Sequence, residues 1–402
     1  MKVGILTFHS QLNYGGVLQC WALQTALEKM GHQVVVIDRW LDKDNFRLER
    51  GFDKFGVRQW CRFFVRALWG LGDLAQFNRI RSTKRFLRNR LKLSPYHFVD
   101  WEDAPKGLGV DMLVVGSDQV WHCGDWGDPR VYLLDGAPSI PAIAYAASFG
   151  MTKLPQWIFE GHEDLAAEPI YRKGLARFKA MSCREAEGVR LCETLGFKAE
   201  HVVDPTLLLG FDDWSPVVEP AKGLTAKQSC LVCYFMSEKV EKSLPVIEKF
   251  AKAKKCRVKI FTEFGNASLL PFPASHARFK TWARGICRRL LSNVSVDVSA
   301  GPKEFLQGIA NATWVVSDSF HALMFSTVFK KNVRMLKPQT DFRQKMFARI
   351  EEFAAHAYGR LVVDNLQQAL ESFGCGEMVS IDEQWLESRK RQSEDFLRRT
   401  VG

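Results

Sequence analysis

The run Asp318-Ser319-Phe320-His321 follows the apolar stretch Trp314–Ser317 and precedes a second apolar stretch with helical spacing. An imidazole there stands at a strand's carboxyl end and at a helix start. The partial positive charge of a helix start lowers an imidazole's pKa unless an anion compensates. A bound phosphate would restore the protonated ring. A positioned histidine acid contributes roughly 10²–10⁴ in rate. Ser182-Cys183-Arg184-Glu185 closes another apolar run. Its guanidinium can grip a carboxylate or phosphate bidentately, with an internal pair to Glu185 or Glu187 as the alternative. Gly116-Ser117-Asp118-Gln119-Val120-Trp121 sets a carboxylate, an amide and an indole behind a third run. Such groups are costly to bury unless paired or used. Sugars are held in this way, by polar hydrogen bonds and an aromatic face; a helix cap is the alternative use of Asp118. In His9–Gly16, the pair Gly15-Gly16 lets backbone N–H groups approach a ligand beside Asn13 and Tyr14. That helix start favours an anion or a hydroxyl-rich partner. Tyr145–Gly150 supplies small residues and one hydroxyl donor, Ser148.

Strands and helices must alternate to place these groups. Expected strands are Lys2–Phe8, Gln33–Asp38, Met112–Gly116, Ala142–Ala147, Lys179–Cys183 and His201–Asp204, with helices at Gly15–Met30, Trp157–Arg177 and Glu185–Leu195. Residues 211–228, rich in Pro, Asp and Gly, read as a linker. A second series follows: strands Ser229–Phe235, Val258–Phe261, Val294–Val298, Trp314–Ser317 and Val333–Leu336. Its helices are expected at Lys239–Lys254, near His276–Leu291, at Pro302–Asn311 and at Ala322–Lys330, and Asp382–Arg399 reads as a long polar helix. Two βα series joined by a linker predict an α/β protein with two doubly wound, Rossmann-like domains facing a cleft. The expected division is 1–210, 211–228, 229–380 and a C-terminal helix at 381–402 packing back across the domains. Ligands of such sheets bind beyond the strands' carboxyl ends, where the polar runs lie.

Composition narrows the classes. The 402 residues are 47% apolar and 25% charged, enough for ordinary globular cores and against wholesale disorder. No stretch reaches the roughly 18 apolar residues of a spanning helix. The opening reads as a first β-strand and not a signal peptide, so a cytoplasmic location is expected. Ten irregularly spaced cysteines do not form a disulfide framework. Cys230 and Cys233 form one CxxC inside an apolar run, and without a second pair they read as buried strand thiols, with no metal.

The formal charge is +11, and Arg47–Lys92 alone carries 13 Lys/Arg against 3 Asp/Glu. Within it, Val57, Trp60, Cys61, Phe64, Val65 and Leu68 recur at helical spacing, with Arg58, Arg62 and Arg66 as a second stripe. A basic amphipathic helix with Trp and Phe suits an anionic membrane surface. A solvated helical hairpin is the other reading. No base-reading or RNA-binding motif accompanies the charge, so nucleic acid is not an expected partner.

The polar strand ends resemble the polysaccharide pyruvyl transferase family. The matching blocks are NYGGVLQCWALQ (13–24), VVGSDQVW (114–121), AYAASFG (144–150), SCREAEGVRL (182–191), DPTLLL (204–209) and SDSFHALMFS (317–326). The resemblance implies a GT-B-like fold and transfer of the enolpyruvyl unit of phosphoenolpyruvate to two sugar hydroxyls, giving a pyruvate ketal and phosphate, with no metal or further cofactor. It places Arg184 and His321 on the donor, with Ser319 and Ala322 beside them. Asn13, Tyr14, Gly15, Ser117, Asp118, Gln119, Trp121 and Ser148 fall on the acceptor side. Some members carry Arg-Leu-His where this chain has Ser319-Phe320-His321. Arg343, Lys345 and Arg349 are candidates to replace that cation.

The bottom-up chemistry agrees with this expectation. Phosphoenolpyruvate is compact and anionic, and a unit cation 4 Å from a unit anion gains roughly 4 kcal/mol at an effective dielectric of 20. His321 would act as acid or phosphate ligand, Arg184 as anion ligand, and Asp118 as base or orienter for the acceptor hydroxyl. A glycan on a polyprenyl lipid, at the inner face of the cell membrane, would account for a basic aromatic flank at 47–92. The rivals are a nucleotide-sugar glycosyltransferase, which needs an acidic residue for the ribose and finds only Asp341, and a non-catalytic scaffold for glycan assembly at the membrane.

Overall fold

The computed structural model describes residues 1–10, 12–40, 71–123, 128–159, 164–218, 229–237, 240–262, 293–338 and 341–402. Two units emerge, one formed by Met1–Leu48, Phe86–Gly210 and Glu383–Gly402, the other by Glu49–Arg85 and Phe211–Asp382.

The first unit runs β1 (Lys2–Leu6), α1 (Tyr14–Lys29), β2 (Gln33–Arg39), α2 (Leu71–Arg90, divided between the units at Arg85), β3 (Leu93–Phe98), β4 (Met112–Val115) and β5 (Ala142–Ala147). It continues with α3 (Ala167–Leu175), β6 (Ala180–Cys183), α4 (Ala186–Thr194), β7 (Glu200–His201) and α5 (Pro205–Leu208). Its parallel sheet has the order β3-β2-β1-β4-β5-β6-β7. Every residue of β4 and β5 is buried, as continuous apolar strands covered on both faces must be. Strand order reverses between β1 and β4, which pair Val3 with Met112 through Leu6 with Val115. That reversal opens a crevice at their carboxyl ends.

The second unit runs α6 (Phe211–Trp214), β8 (Cys230–Phe235), α7 (Val240–Lys254), β9 (Arg257–Thr262), β10 (Val294–Asp297), α8 (Pro302–Ala310), β11 (Trp314–Ser317), α9 (Phe320–Val328) and β12 (Asn332–Leu336). It closes with α10 (Asp341–Ala357), β13 (Val362–Val363) and α11 (Leu366–Gly374). The parallel order is β10-β9-β8-β11-β12-β13, with a reversal between β8 and β11. Leu231, Phe235, Ile247, Val258, Val316 and Phe373 form part of its core.

The final helix, α12 (Glu383–Val401), belongs to the first unit. Val203 N donates to Ser393 Oγ (2.9 Å), Arg389 donates to the His201 carbonyl (2.7 Å), and Phe396 lies 6.2 Å from the Tyr145 ring.

Some expectations change. The helix expected over 157–177 is only α3, and Trp157 instead bridges antiparallel to Ala166. Pro169 lies in the first turn of α3; in a longer helix it would sit in the interior, lacking an N–H and clashing with the preceding turn. The strand expected over His201–Asp204 stops at His201, because Asp204 caps α5. α9 begins two residues earlier than expected, placing His321 within its first turn. Residues 211–214 of the expected linker are helical. The rest of it from 219 on, the 276–291 helix and the aromatic stripe of 47–70 lie outside the described residues. Among the described residues no helix is long and apolar enough to cross a membrane.

Candidate active site

In the first unit the loop after β1 is pinned from α1. Gln19, fully buried, places its amide Nε2 3.0 Å from Thr7 Oγ1 and from the Phe8 carbonyl, and 2.9 Å from that of Gly16. Thr7 Oγ1 in turn donates to the Ser117 carbonyl at 2.7 Å, tying the ends of β1 and β4 together. His9 places Nε2 2.9 Å from Asp38 Oδ1 and Nδ1 3.1 Å from the Thr7 carbonyl. Asn13 is the N-cap of α1, accepting from Gly15 N at 2.9 Å. Its side chain is therefore engaged by the helix, and Tyr14 is buried in the core.

Beyond β4 the backbone turns sharply. Gly116 has φ +103°, and a Cβ there would stand 2.5 Å from the Tyr145 carbonyl, so only glycine fits. Asp118 has φ +73°, a left-handed conformation that a residue with a Cβ adopts at a cost and that clusters at functional sites. The surrounding bonds hold it there. Asp118 N donates to Ser117 Oγ (2.6 Å), its carbonyl accepts from Ser148 N (2.9 Å), and its Oδ1 accepts from Gln119 N (2.9 Å).

The same Oδ1 accepts from Arg184 NH2 at 2.9 Å, while Arg184 NH1 donates to Asp204 Oδ2, also at 2.9 Å. Glu185 Oε2 lies 3.7 Å from Arg184 Nε, and the Arg184 side chain is 0% exposed. Burial works to lower the Arg184 pKa, but the charges of Asp118, Asp204 and Glu185 outweigh it and hold the guanidinium above its ordinary range. The sequence reading aimed Arg184 at a ligand anion. Its fork is instead taken by two carboxylates of its own unit, because Asp118 after β4 and Asp204 after β7 converge on it beyond the strands' carboxyl ends. Glu187, the other local candidate, pairs with Arg190.

Asp204 is the group the sequence reading missed. Its Oδ1 accepts from Thr206 N (3.1 Å) and Thr206 Oγ1 (2.7 Å), and its Oδ2 accepts from Ser117 Oγ (3.2 Å) as well as from Arg184. The signal was present, since an Asp before Pro marks an N-cap with proline at the first helical position. Nothing local said that its second oxygen would meet an arginine.

The remaining acceptor-side candidates divide. Ser117 and Ser148 are fully buried and serve the turn, Ser148 Oγ accepting from Gly150 N at 3.1 Å. Gln119 is buried with its amide against Gly150. Trp121 offers no face to a sugar. It is 0% exposed, packed 5.1 Å from the Phe149 ring and 5.7 Å from that of Phe178, because the first unit's core needs its bulk.

In the second unit, Ser317 Oγ donates to the Tyr234 carbonyl at 2.5 Å and accepts from Ser319 N at 3.1 Å. Asp318 accepts from Met236 N (2.7 Å), Ser237 N (2.8 Å) and the Ser237 hydroxyl. Ser319 is the N-cap residue of α9 without a side-chain capping bond. His321 follows in the first turn, its residue surface 8% exposed. The Phe320 ring lies 5.6 Å from the His321 ring and 5.3 Å below the Arg349 guanidinium. Arg349, on α10, is thus brought beside the start of α9. Ala322 is fully buried and presents no surface to a ligand. Arg343 and Lys345 lie on α10, and their side chains fall outside the described residues.

Among the described residues no group of three or more His, Cys, Asp or Glu is placed to hold a metal. Cys233 is buried within β8 and desolvation pushes its thiol far up.

The fold is of the GT-B class, two doubly wound parallel sheets. Two epimerase structures match it at a level that shows the fold alone. The UDP-GlcNAc 2-epimerase from Neisseria meningitidis bound to UDP-GlcNAc is 12% identical, with 100% of this chain and 99% of that chain covered and a TM-score of 0.50. The UDP-GlcNAc 2-epimerase from Methanocaldococcus jannaschii is 13% identical, with 100% of both chains covered and a TM-score of 0.51. No curated protein matches the chain. The family model for polysaccharide pyruvyl transferase matches residues 13–339, a span that holds both polar clusters. The chain belongs to the polysaccharide pyruvyl transferase family, and its class of activity is that of a transferase of polysaccharide biosynthesis.

Proposed function

We propose that the protein transfers the enolpyruvyl unit of phosphoenolpyruvate to a sugar of a surface polysaccharide or its lipid-linked precursor, forming a pyruvate ketal. The observation that carries this reading is His321 in the first turn of α9, at the carboxyl end of β11, in a chain of this family. The donor's phosphate is held by backbone N–H groups of Phe320 and His321, by the His321 side chain and by a cation from α10. Arg349 is the cation whose position supports that role, since it stacks on Phe320. Arg343 and Lys345 are further donor ligands on the same helix. Together they compensate for the serine that stands at position 319.

His321 gives its proton to the methylene carbon of phosphoenolpyruvate, leaving a cation at C2. One sugar hydroxyl adds to C2 and gives up its proton to Asp118. The C2–O bond to phosphate then breaks as the second hydroxyl adds to C2 and closes the ketal. The phosphate takes the electron pair and that hydroxyl's proton and leaves as hydrogen phosphate. The proton on Asp118 returns to His321 through solvent, which restores both groups. Positioning and charge supply the catalysis, so neither a metal nor a further cofactor is needed.

Docking on an anionic membrane belongs to the same proposal. On α2, Arg81, Arg85 and Arg88 are exposed at i, i+4, i+7, while Ile80, Thr83, Phe86 and Leu87 are buried. Each basic side chain near such a surface contributes about 1 kcal/mol. Sedimentation with anionic vesicles is expected to weaken as salt rises and to fall when the three arginines become glutamate. Binding indifferent to both would refute the docking.

The central test is phosphate release from phosphoenolpyruvate across a panel of lipid-linked and free glycans. Release that depends on one class of glycan supports the reading. Absence of release with every acceptor, together with turnover of a nucleotide sugar, overturns it.

A further inference from the structure

We propose that Arg184 is a positioning residue: it bridges Asp204 to Asp118, fixes the Asp118 carboxylate for the acceptor hydroxyl, and does not hold the donor. This rests on the reading of Asp118 as the acceptor's base.

The geometry assigns each nitrogen. NH1 and NH2 go to different carboxylates at equal distances of 2.9 Å, and the side chain has no exposed surface. A guanidinium presents these bonds in a rigid planar fork, which an ammonium cannot reproduce. The far end of the bridge is anchored, since Asp204 is itself held by Thr206 and Ser117. The near end is the strained residue. Asp118 keeps its left-handed backbone (φ +73°) without glycine's freedom, so its orientation depends on what grips its carboxylate.

Asp118 Oδ1 is used within the unit, and Oδ2 lies 3.6 Å from where a Cβ on Gly16 would stand. The carboxylate therefore borders the first turn of α1, beside Gly15 and the cap residue Asn13. Charge argues the same way. Three carboxylates surround one guanidinium, leaving the cluster negative on balance. A trianionic donor would be repelled there, whereas a neutral hydroxyl that must lose a proton would not.

The experiment compares wild type, Arg184→Gln, Arg184→Lys and Asp204→Asn. Phosphoenolpyruvate binding is read by calorimetry and phosphate release by stopped assay with the glycan panel. The expected result is a donor Kd within about twofold of wild type in all variants, with kcat lowered about 10²-fold, the low end for losing an aligned general base. Arg184→Lys should recover stability better than kcat. A donor Kd raised tenfold or more in Arg184→Gln, with kcat little changed, would overturn the proposal.

A double-mutant cycle on unfolding, with Asp118→Asn and Arg184→Gln, needs no substrate. Strong coupling is expected, and additive losses would sink the bridge. If Arg184→Gln does not fold, Arg184→Lys enters the cycle in its place. Should wild type neither bind phosphoenolpyruvate nor release phosphate, the proposed activity fails, and the cycle still decides the bridge.

Discussion

Asp118 and Asp318 occupy matching places. Each follows two valines and a serine, with Gly116 inserted in the first run, at the strand beside its sheet's reversal point, after β4 and after β11. Their surroundings differ. Asp118 is gripped by a guanidinium that carries on to a second carboxylate. Asp318 spends both oxygens on Met236 N, Ser237 N and the Ser237 hydroxyl, closing the turn after β8. One carboxylate is braced by an arginine, and the other fastens a turn three residues before His321. A shared local pattern therefore does not imply a shared role; the partner across the sheet decides it.

The largest effect should separate the two units by their reacting groups. His321→Ala is expected to lower kcat by about 10²–10⁴ with little change in melting temperature. A collapse of folding instead would make His321 a core residue. Next, Asp118→Asn is expected to cost kcat on the same scale, whereas Asp318→Asn should leave kcat within tenfold and lower stability by about 1–3 kcal/mol. Turnover kinetics and urea unfolding on both variants measure this. Equal losses of kcat would erase the difference between the two carboxylates.

Asp204→Asn probes the far end of the bridge together with the Ser117 bond to the same oxygen. Breaking a buried ion pair from one side costs about 3–5 kcal/mol, less the share that Asp118 still provides. A midpoint unchanged in urea would contradict the geometry. The smallest effect lies away from both sites. Burial alone would raise the Asp297 pKa, but Lys259 at 3.1 Å and the bonds from Ser299 outweigh it and hold it below the usual carboxylate range. A lowered folded-state pKa adds stability above the unfolded value of about 3.9, and that stability fades as pH falls through the folded value. Lys259→Met should flatten this acid limb of the stability profile while leaving both candidate clusters unaltered.

The sequence made some elements readable and hid others for identifiable reasons. Ala142–Ala147 and Trp314–Ser317 were legible to the residue, because continuous apolar runs leave only a buried strand. β3 was not, since LSPYHF carries a proline and buries only Ser94 and Phe98 at a sheet edge. The polar strand ends were legible as places, and the family followed from them. The partner of Arg184 was not, because Glu185 and Glu187 are adjacent in sequence while Asp118 is 66 positions away and Asp204 is 20. Trp121 misled for a related reason: an indole beside polar groups suggests a sugar platform, and only the packing of Phe149 and Phe178 reveals a core residue.

The contact between Val203 and Ser393 spans 190 positions. On the ribosome, the segment that seats Asp204 emerges long before the helix that braces it. The whole second sheet is translated in between, so the first sheet, its seven strands already made, must wait for the helix that covers it while the second is synthesised.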